Sequence, residues 1–267
     1  MITERIYLRE DDKNVFLDTY IHNHSPEALK DLKRPAVLIC PGGAYMVIAE
    51  TEGEPVALKF MGMGYDAFVL NYSVNKKFPE PVNDIKAAMK VIKENAERWH
   101  VDTDKIVLCG FSAGAHNVCM YNVYGKELGL DKPAACILGY PLADFRERFE
   151  GRTDRMCEKA LLGTEEPDEE SLDKVATMMQ DTANFPPTFI WTTAMDEMVP
   201  CSNSLKLALS LSENGVPFEL HVFERGYHAL SCADESSAVV KGQLKPEISQ
   251  WLNLCQTWMK RHVNIEL

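Results

Sequence analysis

One serine of this chain lies in a pattern that favours nucleophilic catalysis. Gly110-Phe111-Ser112-Ala113-Gly114 matches G-x-S-x-G; it directly follows the apolar run Lys105–Cys109 and opens a helical pattern. On a tight turn from strand to helix, the serine hydroxyl projects from the carboxyl end of the sheet, and the glycines let neighbouring backbone approach without a clash. The amino terminus of the following helix favours negative charge that develops beside it. We therefore predict that Ser112 is a nucleophile.

A serine nucleophile needs a general base, and the position of His228 suits that role best. Glu224–His228 forms a loop after the last strand-like run. A loop at the carboxyl end of a strand is where a base can reach the serine. The other histidines are interpreted as structural or solvated: His22, His24, His100, His116, His221 and His262.

The base in turn needs an acid that orients its ring, and two aspartates follow strand-like runs. Asp196 ends the segment Phe189–Asp196, whereas its rival Asp144 follows the preceding strand. We favour Asp196, because nucleophile, acid and base then occur in the order Ser, Asp, His, which is one of the known chain orders of such triads. Its neighbour Glu197 is interpreted as a solvated turn residue.

Acyl transfer also needs backbone amides that stabilise an oxyanion. Pro41-Gly42-Gly43-Ala44-Tyr45 follows the strand-like run Ala36–Cys40, where such a loop is expected, and its glycines allow amide hydrogens to face the site. Ala113, next after the nucleophile, is expected to supply another donor. Tyr45 and Tyr227 flank the inferred site, where their rings could stack on a sugar or serve only in packing.

Short apolar runs alternate with helical patterns along the chain, and this alternation predicts an α/β fold. The pattern of Val82–Trp99 predicts an amphipathic helix, and a closing helix is expected from Pro246. Phe218–Phe223 alternates in polarity and is expected near an edge of the sheet. The other strand-like runs are nearly continuous in apolar residues, as expected for parallel strands buried on both faces: Ala36–Cys40, Ala67–Asn71, Ile106–Cys109, Ala134–Leu138 and Thr188–Thr192.

The chain is predicted to form one domain over residues 1–267. Arg5–Leu8 and Val15–His22 are joined by a short turn, which predicts an antiparallel hairpin at the sheet edge. After the sixth strand, residues 142–185 lack a strong strand pattern and are rich in charge. Because a structureless loop of this length is unusual, we expect two short helices, near Thr153–Leu162 and Pro167–Met179. This insertion could be a cap over the site or a solvated addition, and the sequence leaves both open.

Composition limits the classes of partner. With 46% hydrophobic and 25% charged residues the chain resembles an ordinary globular protein, and its net charge of −12 argues against nucleic-acid and membrane partners. The N-terminus lacks a signal-peptide pattern, and the eight scattered cysteines are interpreted as core residues in a reducing compartment, so a cytoplasmic location is expected. Neither a metal-ligand pattern nor a phosphate-binding glycine loop occurs, so we expect no metal and no cofactor. A homodimer remains open.

With these elements placed, the chain resembles the small esterase/lipase group of the α/β-hydrolase superfamily, and within it bacterial proteins related to acetyl xylan esterases and BD-FAE hydrolases. The resemblance implies a mostly parallel central sheet with helices on both faces, and it maps the family's oxyanion donors onto Gly43 and Ala44. Where the hormone-sensitive-lipase-like branch has His-Gly-Gly-Gly, this chain has Pro41-Gly42-Gly43-Ala44. The matching stretches span nearly the whole chain: Cys40–Tyr45, Gly110–His116, Pro186–Asp196, Val199-Pro200, Asn203–Leu205 and Gly226–Leu230.

These observations predict a serine carboxylic-ester hydrolase that acts through an acyl-enzyme on small short-acyl esters. The resemblance extends this expectation to the deacetylation of acetylated sugars such as xylo-oligosaccharides. A peptidase of the prolyl-oligopeptidase type shares the triad order, but no residues remain here for the large extra domain of those enzymes. A catalytically silent binding protein on a hydrolase scaffold is the other alternative, and it would not need Ser112, Asp196 and His228 intact.

Overall fold

A computed structural model describes residues 1–24, 32–147 and 155–265 of the chain. The strands are β1 Arg5–Tyr7, β2 Phe16–Tyr20, β3 Arg34–Cys40, β4 Asp66–Asn71, β5 Val101–Phe111, β6 Ala135–Gly139, β7 Thr188–Thr193 and β8 Phe218–Phe223. The α-helices are α1 Glu54–Gly62, α2 Glu80–Glu94, α3 Ala96–Trp99, α4 Ala113–Val123, α5 Met156–Leu162, α6 Glu169–Val175, α7 Ser202–Glu213, α8 Pro246–Ser249 and α9 Trp251–His262. Short 3₁₀ turns occur at Glu50–Glu52, Thr177–Met179, Thr182–Asn184 and Lys241–Gln243.

The strands form one sheet in the order β1-β2-β4-β3-β5-β6-β7-β8. β1 pairs antiparallel with β2, and β2 pairs antiparallel with β4, whereas every pair from β4 to β8 is parallel. The predicted fold class is therefore confirmed, including the N-terminal hairpin at one edge and Phe218–Phe223 at the other. Within the described residues, each helix is too short or too polar to cross a bilayer.

Two hydrophobic clusters cover the two faces of this sheet. Leu38 and Leu108 belong to one cluster, whereas their chain neighbours Val37 and Val107 belong to the other. This division follows from the pleat of a strand, which sends successive side chains to opposite faces. The apolar runs Ala36–Cys40 and Ile106–Cys109 are therefore continuous because these parts of β3 and β5 are buried on both faces.

The predicted helix over Val82–Trp99 is interrupted at Asn95. Its side-chain amide donates to the carbonyl of Val91 at 2.9 Å, and α2 ends before it while α3 begins after it. A short polar side chain that bonds nearby backbone competes with helical hydrogen bonds, which explains the break. His100, in the left-handed conformation, then turns the chain into β5, which begins at Val101, five residues before the predicted start.

The insertion between β6 and β7 contains the two expected helices, as α5 and α6. Thr153 and Asp154, at the start of the first predicted helix, lie outside the described residues. Leu161, Leu172 and Val175 are buried in the larger core cluster, so the insertion packs on the domain in spite of its charge. Most of its described acidic residues are exposed, whereas Asp144 and Glu158 are buried, and Arg146 bonds Asp144, Asp173 and Glu169.

His116, a residue of α4, forms a hydrogen bond that links this helix to the insertion. The fully buried ring contacts the Val175 carbonyl through Nε2 at 2.7 Å and the Tyr45 hydroxyl through Nδ1 at 2.6 Å. Because a carbonyl can only accept, Nε2 carries the hydrogen and Nδ1 accepts from the tyrosine. Burial lowers the pKa of His116 to about 4, since the low dielectric disfavours the charged ring, and the bond to Val175 and the charge of Asp144 offset part of that effect.

We expect the replacement His116→Gln to make the free energy of unfolding less dependent on pH under acidic conditions. Between pH 6.5 and 4 the unfolded chain binds a proton at this position and the folded chain does not, so stability falls as pH falls. The full difference in pKa corresponds to about 3 kcal/mol. Urea unfolding at several pH values measures the slope, and His24→Gln, at an exposed position, is the control. Equal slopes for wild type and His116→Gln would contradict this account.

Candidate active site

Ser112 occupies the turn that joins β5 to α4. Its backbone has φ of 50° and ψ of −119°, a conformation that residues other than glycine rarely adopt. The turn is held by a hydrogen bond from the Ser112 amide to the Gly139 carbonyl at 3.0 Å and by the first turn of α4, where the His116 amide donates to the Ser112 carbonyl. The strained geometry directs the hydroxyl away from the sheet edge, as the motif predicts.

Ser112, His228 and Asp196 are joined by two hydrogen bonds. The Ser112 Oγ lies 2.8 Å from His228 Nε2, and His228 Nδ1 lies 2.7 Å from Asp196 Oδ2. The other carboxylate oxygen of Asp196 accepts the amides of Met198 and Val199, both at 2.9 Å. Asp196 and His228 are 2% and 9% exposed, so the acid is shielded from water and fixed by three donors. The structure therefore brings together three side chains that lie as far as 116 residues apart.

The rival acid Asp144 is bonded to Arg146 and not to His228. Its carboxylate accepts from the Arg146 backbone amide and side chain, with the Nε contact at 2.9 Å. Glu197 is exposed. Among the other histidines, His22 contacts Asp66, His24 stacks on His100, His221 contacts Glu219 and His262 packs on Trp258.

The loop after β3 adopts a conformation suited to presenting amides. Gly43, Ala44 and Tyr45 all have positive φ, at 124°, 57° and 60°. A Cβ added at Gly43 would lie 2.1 Å from the Val47 carbonyl oxygen, so this position requires glycine. Ala44 lines the same cavity as Ser112 and His228. Ala113 is the first residue of α4, so its amide has no acceptor inside the helix.

A small cavity of about 80 Å³ opens at Ser112. The insertion supplies much of its wall, including Phe145, Met156 and Cys157, and two acids, Glu147 and Glu158, face it as well. Glu147 accepts from the Ser202 hydroxyl at 2.8 Å and from Lys206. The remaining lining residues are mostly apolar: Leu142, Met198 and Val199 beside Ala44, Ser112 and His228. Among the residues that the structure describes, no three His, Cys, Asp or Glu side chains are grouped as metal ligands.

The structure corrects the expectation for Tyr45. Its side chain is 1% exposed and its hydroxyl contacts His116, so its ring belongs to the core and cannot stack on a substrate. Tyr227 is 55% exposed, and its ring lies 5.8 Å from the Lys245 ammonium, on the surface beside the site. Tyr45 has the packing role and not the stacking role, because the left-handed turn at this residue directs its side chain toward α4.

Sequence reasoning missed Glu52 and Tyr140. Both are buried, their side chains contact each other, and the Tyr140 ring centroid lies 4.9 Å from that of His228. Tyr140 follows β6, the neighbour of β5, so its position at a strand end was a signal that could have identified it. Glu52 has no comparable signal, because an acid in a charged segment is usually solvated.

Comparisons with known proteins identify the family and the fold of this chain. The BD-FAE family model matches residues 17–211. The chain is 35% identical, over 82% of its length, to endo-1,4-β-xylanase B of Butyrivibrio fibrisolvens, covering 35% of that protein. Two solved structures superpose over nearly the whole chain. The carboxylesterase Cest-2923 of Lactobacillus plantarum has a TM-score of 0.87 at 26% identity, with 100% of both chains covered. An acetyl ester-xyloside bifunctional hydrolase of Caldicellulosiruptor lactoaceticus has a TM-score of 0.81 at 29% identity, covering 98% of this chain and 97% of that one.

The extent of these matches determines what they establish. The family model covers well over half of the chain, whereas the chain spans only 35% to 48% of the length of the curated relatives it matches. The relatives with solved structures are esterases and hydrolases that share the whole fold. By sequence and by fold, this chain belongs to the BD-FAE family of α/β hydrolases.

Proposed function

We propose that this protein is a serine carboxylic-ester hydrolase in which Ser112 is the nucleophile, His228 the general base and Asp196 the orienting acid. The observation that carries the proposal is the continuous hydrogen-bonded chain from Asp196 through His228 to Ser112, which ends at an open cavity. The similarity to a carboxylesterase and to an acetyl ester-xyloside bifunctional hydrolase supports the same reaction class.

The proposed reaction has two halves. Ser112 Oγ attacks the ester carbonyl while His228 Nε2 takes the hydroxyl proton, and Asp196 stabilises the imidazolium through Nδ1. The amides of Ala44 and Ala113, with Gly43, stabilise the oxyanion. His228 then gives its proton to the leaving alcohol, which leaves an acyl-enzyme. A water molecule, deprotonated by His228, attacks the acyl carbon, and the carboxylic acid departs as Ser112 regains its proton.

We further propose that the substrates are short-acyl esters, including acetylated sugars, and that residues 142–185 act as the cap of the site. The small cavity and the two acids on its wall, Glu147 and Glu158, support this choice, because a long apolar acyl chain finds little room and partly polar surroundings. The related enzyme of Caldicellulosiruptor lactoaceticus is an acetyl ester-xyloside hydrolase, which supports an acetylated sugar as the alcohol part.

Ser112→Ala is expected to reduce p-nitrophenyl acetate hydrolysis by several orders of magnitude, leaving the small rate that the oxyanion loop and binding provide. A fluorophosphonate probe should label wild type on Ser112 alone, as read by peptide mass spectrometry. Labelling at another residue, or full activity of the variant, would refute the mechanism. An unlabelled and inactive wild type would instead support a silent binding protein.

Asp196→Asn and Asp144→Asn form a matched pair, since each replaces a buried carboxylate by its isosteric amide. Asp196→Asn should lower kcat by roughly 10³- to 10⁴-fold, because the amide favours the wrong tautomer of His228. Asp144→Asn should lower kcat less than about tenfold, because that carboxylate holds Arg146 within the insertion. The assignment of the acid is wrong if the two effects are reversed.

Acyl length provides the test of substrate class. We expect kcat/KM to be highest for acetyl and propionyl esters and to fall at octanoyl, because the cavity is small. A long apolar pocket would instead gain about 0.8 kcal/mol, or roughly fourfold, for each added methylene. Leu142→Ala, which widens the cavity wall, should move the optimum to longer chains. A wild-type profile that climbs steadily to eight carbons would eliminate the short-acyl proposal and leave the triad untouched.

A further inference from the structure

Glu52 is a buried carboxylate next to the proposed triad, and the reaction just described does not use it. The residue ends the 3₁₀ turn that follows the oxyanion loop and is 1% exposed. Its Oε2 accepts the Gly42 amide at 2.6 Å, and its Oε1 accepts the Tyr140 hydroxyl at 2.6 Å. Burying a carboxylate costs its hydration, so a buried acid needs hydrogen-bond donors that offset this loss.

The donors around Glu52 match an ionised carboxylate. The Gly42 amide can only donate, and the Tyr140 hydroxyl donates to Glu52 while its oxygen accepts the Ser231 amide at 3.0 Å. Each carboxylate oxygen therefore accepts one hydrogen bond. Burial raises the pKa of Glu52, while the bonds from Tyr140 and Gly42 and the charge of His228 oppose that rise. The titratable groups that interact with Glu52 are Tyr72, Tyr140 and His228.

The same carboxylate joins the two halves of the site. On one side it holds Gly42, which immediately precedes Gly43 and Ala44 of the oxyanion loop. A Cβ added at Gly42 would lie 2.8 Å from the Glu52 Oε2 and 3.0 Å from the Ser112 Cβ, so Gly42 fills the space between acid and nucleophile. On the other side Glu52 holds Tyr140, whose ring packs against that of His228 at an interplanar angle of 64°.

A further hydrogen bond closes this network. The Ser231 hydroxyl donates to the Thr51 carbonyl at 2.7 Å, so the segment that follows His228 is bound to the turn that carries Glu52. The Ser231 amide contacts the Tyr140 hydroxyl, which contacts Glu52. Loops from three parts of the chain, at residues 41–52, 140 and 228–231, thus share one anionic centre.

We propose that Glu52 is a positioning residue of this site: it fixes the oxyanion loop and the Tyr140 ring, and its negative charge favours the protonated imidazole of His228 during the reaction. This inference rests on the proposed function. Asp196 orients the ring by direct contact, whereas Glu52 acts through Tyr140 and through the electric field. A nearby negative charge favours the imidazolium, so the loss of that charge makes the ring harder to protonate.

Glu52→Gln is the variant that tests this inference, and Glu50→Gln is its matched control. Both replace an acid of the same 3₁₀ turn and change the net charge equally, but Glu50 is exposed. We expect Glu52→Gln to move the acid limb of kcat/KM to lower pH, because the loss of a nearby negative charge disfavours the imidazolium. We also expect kcat to fall about tenfold or more with little change in KM, and Glu50→Gln to match wild type. A merely structural role would lower the melting temperature and leave the acid limb in place.

A measurement without substrate separates this inference from the proposed function. NMR of the imidazole protons, assigned by comparison with His228→Gln, gives the pH at which the His228 ring titrates in each variant. A downward shift in Glu52→Gln alone supports the inference, even if no tested ester is hydrolysed. Identical titration in Glu52→Gln and Glu50→Gln would overturn it.

Tyr140→Phe provides a second test in case Glu52→Gln does not fold. The change removes the hydroxyl that links Glu52 to the Ser231 amide and keeps the ring against His228. We expect kcat to fall with KM nearly unchanged. Wild-type kcat in this variant would overturn the positioning role.

Discussion

The site depends on one strained residue, Ser112, held at a positive φ between β5 and α4. That conformation persists only because the neighbouring backbone leaves no alternative. A Cβ added at Gly114 would lie 2.0 Å from the Cys40 carbonyl oxygen, and one added at Gly110 would lie 2.6 Å from the Ala115 Cα. The close approach of α4 to β3 and β5 therefore fixes Ser112 and also sets its distance from the loop that follows Cys40.

The order of the strands supplies the partners of this serine. β3, β5, β6 and β7 are adjacent and parallel, so the loops that follow them open at one edge of the sheet. β8 extends the same arrangement and delivers His228 from the outside. Ser112, Asp196 and His228 lie one, three and five residues beyond the ends of β5, β7 and β8, so the sheet limits their freedom and brings them together. The stacked pair of Trp191 and Trp251, with centroids 5.0 Å apart, packs the last helix against this end of the sheet.

The parts of this arrangement that were predictable are those set by local pattern. Continuous apolar runs identified the buried strands, and Ser112, Asp196 and His228 were identifiable because each follows a strand end. Side-chain direction was not predictable in the same way. Tyr45 belongs to the glycine-containing loop after β3, yet its ring lies in the core, and its backbone has a positive φ. Glu52 is a further case, because only the folded chain brings the Gly42 amide and the Tyr140 hydroxyl to its two oxygens.

The insertion of residues 142–185 has acidic residues on its surface and apolar residues that pack on the domain. Its surface carries the acids that dominated the sequence pattern, while Phe145, Leu161 and Val175 pack inward. The carbonyl of Val175 accepts from the ring of His116, whose other nitrogen contacts Tyr45, the residue after Gly43 and Ala44. A shift of α6 would therefore disturb the hydrogen bond that anchors Tyr45. Because the same loop is bound to Glu52 through Gly42, it is held from two sides by buried polar contacts. Such contacts are directional, and they fix amide orientation more closely than apolar packing alone.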